Sequence, residues 1–274
     1  MAVGDFVYGG KIMPVNKIDL NSDVGESFGN YKLGLDEEVV PLISSANVAC
    51  GFHAGDPTVM KRTINIAREN GVAVGAHPGF PDLIGFGRRS MDVSLEEIHD
   101  YVLYQIGALQ GFATAQGVKL QHVKPHGALY NMAVQNNEIW DAVARAIAAV
   151  DSDLILFVLA GSNRQDLEAI GTRHGIRIAF EFFGDRAYNS DGSLVSRKEP
   201  GAVIHDHEAV AEKVLKMVKE GRVVCQDGSE IDMTADTICV HGDNPSALAL
   251  VKNIRESLQS AGVEIAAPNA LRKT

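Results

Sequence analysis

The sequence predicts an α/β fold in which seven parallel strands close into a barrel, and three observations carry that prediction. Strand and helix signals alternate almost without interruption, the pattern of parallel strands joined by right-handed helical crossovers. The strand-like segments begin apolar or small and finish on an ionisable side chain. That ending recurs on at least six of the seven. The competing architecture, a doubly wound open sheet, draws its site from two or three strand ends at one switch point, whereas a barrel draws on nearly all of them.

The first strand sets the template. In Lys17 to Gly29, Ile18 and Leu20 alternate with Asp19, Asn21 and Asp23. Successive strand side chains point to opposite faces, so one face is apolar and the other carries an acid, an amide and an acid. Buried carboxylates need partners, so that second face meets something polar. The same parity places Asn47, Ala49, Gly51 and His53 together, then Ala73, Gly75 and His77, then His122, Lys124 and His126. Ala179 pairs with Glu181, and Cys239 with His241. Leu154 to Leu159 reads as a further core strand and Ile176 to Phe182 as the sixth.

Helices fill the intervals. Asp36 is a capping residue for a short helix through Ile43, and Asp56 followed by Pro57 opens one that stops at Gly71. Ser94 with Glu97 forms a capping box before a long helix ending at Gly117, and Ser162 with Gln165 forms a second before a helix to Gly175. Asn137 to Val150 and His207 to Glu220 have helical apolar spacing, and Asn244 with Pro245 starts a last helix ending near Gly262. Two loops, Pro78 to Val93 and Gly184 to Asp206, have the length of lids over the strand ends. The second holds an Asp-Gly turn that suggests a hairpin. Residues 1–16 read as an N-terminal extension and 17–274 as a single barrel domain.

With 274 residues and 46% hydrophobic content, the chain can bury a full core. A formal charge of -10 argues against nucleic acid or an anionic membrane as partner. Three irregularly spaced cysteines suit reduced thiols in the cytoplasm, and neither a secretory leader nor a membrane span is legible. Phosphate-binding glycine motifs of the P-loop and dinucleotide types are missing from the sequence.

Asp23, His53 and His77, just past three consecutive strands, form a carboxylate–imidazole set for a divalent metal, with a polar network that binds substrate directly as the alternative. Lys124 is a cation for an anionic intermediate, a base if burial lowers it, or the partner of Asp19 or Glu181 in a structural ion pair. His122, one layer deeper, reads as a core histidine. Glu181 and Asp185 are two carboxylates for acid and base duty. Arg88 and Arg89 suit a carboxylate clamp or a surface ion pair. Asp191 reads as a solvated loop acid, and His99, His174, His205 and His207 as surface.

Six extended stretches then resemble one family: Asp19–Glu26, Ala46–Pro57, Gly75–Arg89, Val123–Asn131, Glu181–Arg197 and Val240–Pro245, in register across the chain from about residue 17. The chain looks like a member of the LamB/YcsF family. The resemblance implies a distorted (βα)7 TIM-like barrel of the glycoside hydrolase and deacetylase type. It also implies ATP-dependent opening of the lactam 5-oxoproline to glutamate, in a complex with subunits B and C. The family positions are Asp23, His53, His77, Lys124, His126, Glu181, Asp185, Arg186 and His241. The candidate catalytic set is therefore Asp23, His53, His77, Lys124, His126, Glu181 and Asp185, with Asn21, Arg88, Arg186, Tyr188 and His241 as candidate substrate-binding residues. ATP is used by the complex, and Asp23, His53 and His77 are the candidate metal ligands. Two rival readings are a stand-alone metal-dependent deacetylase or amidohydrolase, and a non-catalytic carrier of a lactam. Homo-oligomerisation is left open.

Overall fold

A computed structural model of the chain describes residues 16–161, 163–240 and 245–268. The seven expected strands are β1 (Lys17–Val24), β2 (Ser45–Ala49), β3 (Ala73–His77), β4 (Leu120–Val123), β5 (Ile155–Leu159), β6 (Arg177–Phe183) and β9 (Thr237–Cys239). All pair in parallel in that order, and β1 closes the ring by pairing with both β2 and β9. Residues 19–21 of β1 face β9 and residues 21–24 face β2, so Asn21 lies where the barrel closes. Three short strands lie beyond the sequence expectation. β7 (Arg222–Val224) and β8 (Glu230–Asp232) form an antiparallel hairpin outside the barrel, and β10 (Glu264–Ile265) pairs with the start of β1.

Strand parity sorts the barrel wall into two faces. Leu20, Val48, Val74, Val123, Leu156, Phe180 and Ile238 point outward and belong to the large core beneath the helices. The inward residues Ile155, Phe157 and Ala179 make a separate apolar cluster, on which His122 stacks with its ring centroid 4.3 Å from that of Phe157. This floor fills the lower barrel. Gly75 has no side chain because the His122 ring occupies that volume, and a Cβ there would lie 2.1 Å from His122 Nε2.

The helices are α1 (Asp36–Val39), α2 (Pro57–Glu69), α3 (Leu95–Ala115), α4 (Gly127–Gln135), α5 (Asn137–Val150), α6 (Arg164–His174), α7 (His207–Glu220) and α8 (Pro245–Ser260). Asp56 caps α2 and the Ser94–Glu97 capping box opens α3, as the sequence indicates. Asp36 does not cap α1. Leu35 holds that position, and the buried Asp36 carboxylate turns inward to accept from Gly25 N–H at 3.0 Å. Ser162 and Asn244 lie outside the described residues; α6 follows Asn163 without a side-chain cap. The Asp-Gly turn expected in the second long loop is present, with Gly192 N–H donating to Asn189 and antiparallel bridges joining Tyr188 to Leu194 and Arg186 to Val203. Among the described residues no helix is long and apolar enough to cross a membrane.

Candidate active site at the barrel mouth

The inward face of the strands carries a continuous polar network. At its base Asp19 is fully buried and accepts from Ser44, Ser45 and Thr237 hydroxyls. Burial pushes its carboxyl up to about 6 although those three hydroxyls oppose the shift. One layer up, Asn21 Nδ2 donates to Thr237 at 2.7 Å and to Glu181 at 3.1 Å, while Asn47 donates to both Asn21 and Asp23 at 2.8 Å.

Lys124 stands at the centre of the next layer. Its ammonium is 2.9 Å from Asp23 Oδ1, 3.1 Å from Glu181 Oε1 and 3.0 Å from Cys239 Sγ. Burial alone would lower this ammonium, but the neighbouring charges, Asp23 foremost, hold it well above the usual lysine range. Lys124 thus pairs with Asp23 and Glu181, and of the two ion-pair partners the sequence offered, Glu181 is met and Asp19 is not. Tyr130 donates to the second Glu181 oxygen at 3.0 Å. Glu181 is fully buried within β6.

Above this layer the histidines meet. His77 Nδ1 lies 2.7 Å from the Lys124 carbonyl, and His126 Nε2 lies 2.8 Å from the Phe86 carbonyl. A carbonyl only accepts, so both ring nitrogens donate. In the neutral rings the lone pairs of His77 Nε2 and His126 Nδ1 then face each other, 3.0 Å apart. Such a contact calls for an electrophile between the nitrogens, a proton or a cation. Burial holds His126 and His53 well below the usual imidazole range, which disfavours the proton. His53 stacks flat on His126 with centroids 3.7 Å apart, and neither of its ring nitrogens has a hydrogen-bond partner among the described residues.

Ligand atoms of Glu26, His53, His77 and His126 all fall within 4.8 Å of one another. A 3.0 Å nitrogen pair matches two ligands each about 2.0–2.1 Å from one divalent ion. The residues therefore fit a metal. The set differs from the expected one, because Glu26 and His126 enter it and Asp23 stands beside it. Asp23 Oδ1 is taken by Lys124 and Asn47, and Oδ2 lies 3.3 Å from His77 Nε2.

The loop after β3 forms the roof. Phe86 adopts a left-handed backbone, φ 54°, which aims its carbonyl at His126 and sets its ring edge-on to His53 and His126. Such a conformation is costly for a bulky residue and marks functional positions. Gly87 follows, where a Cβ would come 2.7 Å from His53. Arg88 is exposed at this edge with its guanidinium over the Phe86 ring, whereas Arg89 pairs with Asp82.

Several expected binding residues have partners within the chain. Asn21 is wholly buried in the network just described. Tyr188 is also wholly buried, stacks on Phe182, and its hydroxyl accepts from Phe183 N–H at 2.8 Å. Arg186 donates to the Ala202 and Val195 carbonyls and so braces its own loop rather than reaching outward. Asp185 is buried at the foot of that loop. His241 lies outside the described residues. Sequence parity missed Glu26 and Phe86, which lie in loops where the two-residue period has ended; only the family-like Asp19–Glu26 stretch pointed to the former.

The family model for LamB/YcsF matches residues 18–273. The chain belongs to the LamB/YcsF family. It is 56% identical over 249 residues to the 5-oxoprolinase A subunit of Pyrococcus abyssi, covering 91% of this chain and 96% of that protein. It is 53% identical over 258 residues to the 5-oxoprolinase A subunit of Bacillus subtilis, covering 94% and 99%. The crystal structure of a lactam utilization protein from Thermus thermophilus superposes with a TM-score of 0.86 at 49% identity, covering 92% of this chain and 99% of that one. The barrel and its mouth are thus a LamB/YcsF architecture.

Proposed function

We propose that this chain is the A subunit of an ATP-dependent 5-oxoprolinase, opening the lactam of 5-oxoproline to glutamate together with subunits B and C. The observation that carries the reading is the joined Asp23–His77–His126 constellation at the barrel mouth, in a chain more than half identical to proteins of that name. The lactam is an unstrained, resonance-stabilised amide, so water attack needs a base and a stabilised oxyanion. ATP supplies the driving force by phosphorylating the lactam oxygen with ADP leaving. Water addition and C–N cleavage then give an acyl phosphate, which a second water hydrolyses to glutamate and inorganic phosphate. The partner subunits supply much of the phosphorylation, since the sequence has no P-loop.

In this reading Asp23, whose Oδ2 lies 3.3 Å from His77 Nε2, takes the proton of the attacking water, and His77 turns its Nε2 lone pair to the ion site. The Lys124 carbonyl holds His77 in the tautomer whose Nε2 accepts. Lys124, itself paired with Glu181, and Asn47 hold the Asp23 carboxylate in place. Asp185 returns a proton to the ring nitrogen as the C–N bond breaks, and exposed Arg88 receives the substrate carboxylate. Glu26, His53, His77 and His126 would hold a divalent ion, which supplies Lewis-acid polarisation when bound. Three buried unpaired thiols, Cys50, Cys225 and Cys239, suit a reducing cytoplasm.

The test is reconstitution of the purified chain with subunits B and C, ATP and 5-oxoproline. Glutamate must form with all components and disappear when this chain is omitted. The four-donor cluster by itself favours a second reading, amide hydrolysis by the isolated chain. Glutamate release by that chain with zinc or manganese and without ATP decides for it.

A further inference from the structure

A second, partly buried cation lies against the turn that ends β6. Lys213, from α7, donates to the Arg186 carbonyl and lies 3.4 Å from the carbonyl oxygens of Phe183 and Gly184. Its ammonium is 4.8 Å from the ring centroids of both Phe182 and Tyr188, which stack on each other. Three carbonyls and two aromatic faces around one ammonium make a built cation seat. The seat is made from the turn that ends β6 and carries Asp185 and Arg186. Burial lowers the Lys213 ammonium to about 7, with the Asp185 charge opposing that shift.

From the other side the same turn is fixed by Arg186, whose guanidinium donates to Ala202 and Val195. Backbone bonds from Ala187 to Ala202, from Val195 to Ala187 and from Ile204 to Asp185 tie the loop back on itself. The direction of the Asp185 side chain therefore depends on where these carbonyls and amides are held. A helix lysine serving only as packing would leave that direction to the loop itself.

We propose that Lys213 is a positioning residue for the reaction: by holding the carbonyls of Phe183, Gly184 and Arg186 it sets Asp185 toward the lactam nitrogen. This rests on the reading of Asp185 as the proton donor to that nitrogen. Small displacements of a reacting group cost rate more than binding, about a hundredfold for an ångström.

The test uses K213M and K213R in the full chain assembled with subunits B and C. Steady-state turnover of 5-oxoproline is read beside amide hydrogen exchange of the Asp185–Ile204 loop. For K213M the expected result is kcat lower by about 10–100-fold, KM within about threefold of wild type, and faster exchange at Ala187, Val195 and Ile204. K213R, which still donates to carbonyls, recovers most of the loss. Wild-type kcat and wild-type exchange in K213M would overturn the proposal, as would a fall in thermal midpoint with kcat unchanged. Should the wild-type assembly make no glutamate, the functional reading fails by itself, and exchange in the loop alone decides whether Lys213 holds it. If K213M does not fold, K213Q carries the same readings.

Discussion

Replacing Lys124 by methionine probes the layer on which the site stands. Methionine keeps most of the methylene packing and removes only the charge. Wild type places the ammonium 2.9 Å from Asp23 and 3.1 Å from Glu181, with 2% of the lysine side chain exposed. Removing one member of a buried ion network leaves its partners uncompensated and costs about 3–5 kcal/mol. That is a large share of the roughly 5–15 kcal/mol by which a domain is stable. The loss has a pH signature. Wild-type Lys124 is held well above its usual range, so the stability it contributes is fully present below the unfolded lysine value and flat between about pH 6 and 9. In the variant the buried carboxylates of Asp23 and Glu181 lose their compensating cation, and since a neutral carboxyl carries little burial penalty, the deficit fades as pH falls. Urea unfolding at pH 8 and pH 5 measures both: a deficit of about 3–5 kcal/mol at pH 8 that shrinks at pH 5. A deficit below about 1 kcal/mol, or one equal at the two pH values, refutes the claim that Lys124 neutralises a buried carboxylate pair.

Gly75→Ala forces a methyl against the His122 ring, which Asn47 and Phe157 hold in place; urea unfolding should show a loss of about 1–3 kcal/mol or more. Asp19 is raised to about 6 from 3.8, so the native state binds the extra proton and stability falls as pH rises from about 4 to 6. Asp19→Asn should remove that part of the slope, up to about 3 kcal/mol, while the similarly raised Asp36 keeps its own. Adding zinc or manganese to chelator-treated protein should raise the thermal midpoint, and His126→Ala should abolish the rise, read by calorimetry and elemental analysis. Arg88→Ala should raise KM for 5-oxoproline about tenfold or more with kcat nearly kept, measured on the reconstituted enzyme.

Most of the barrel was legible because its code is local. Ile18 and Leu20 against Asp19 and Asn21 state which face is inward, and the same two-residue alternation places His77, Lys124 and Glu181 around one lumen. Helix starts at Asp56 and Ser94 follow from backbone N–H groups that their side chains accept from. What the sequence concealed depends on contacts far apart along the chain. Asp36 has the composition of a cap, yet Gly25 and Thr63 draw it inward. Asp23, His53 and His77 read as a metal triad, but Lys124, 101 residues away from Asp23, takes one oxygen and Glu26 enters instead. Tyr188 and Arg186 have the chemistry of binding groups, and only the folded loop reveals that Phe183, Ala202 and Val195 already occupy them. Strand parity ends where strands end, so the roof formed by Phe86 and Gly87 lay beyond its reach.

The most direct measurement is glutamate formation from 5-oxoproline by the complex of this chain with subunits B and C, comparing wild type with His77→Gln at equal folding and assembly. Loss of the imidazole at the centre of the constellation predicts a fall of about 10²–10⁴ in turnover with partner binding retained. Turnover equal to wild type would contradict the assignment of the chemistry to this barrel mouth.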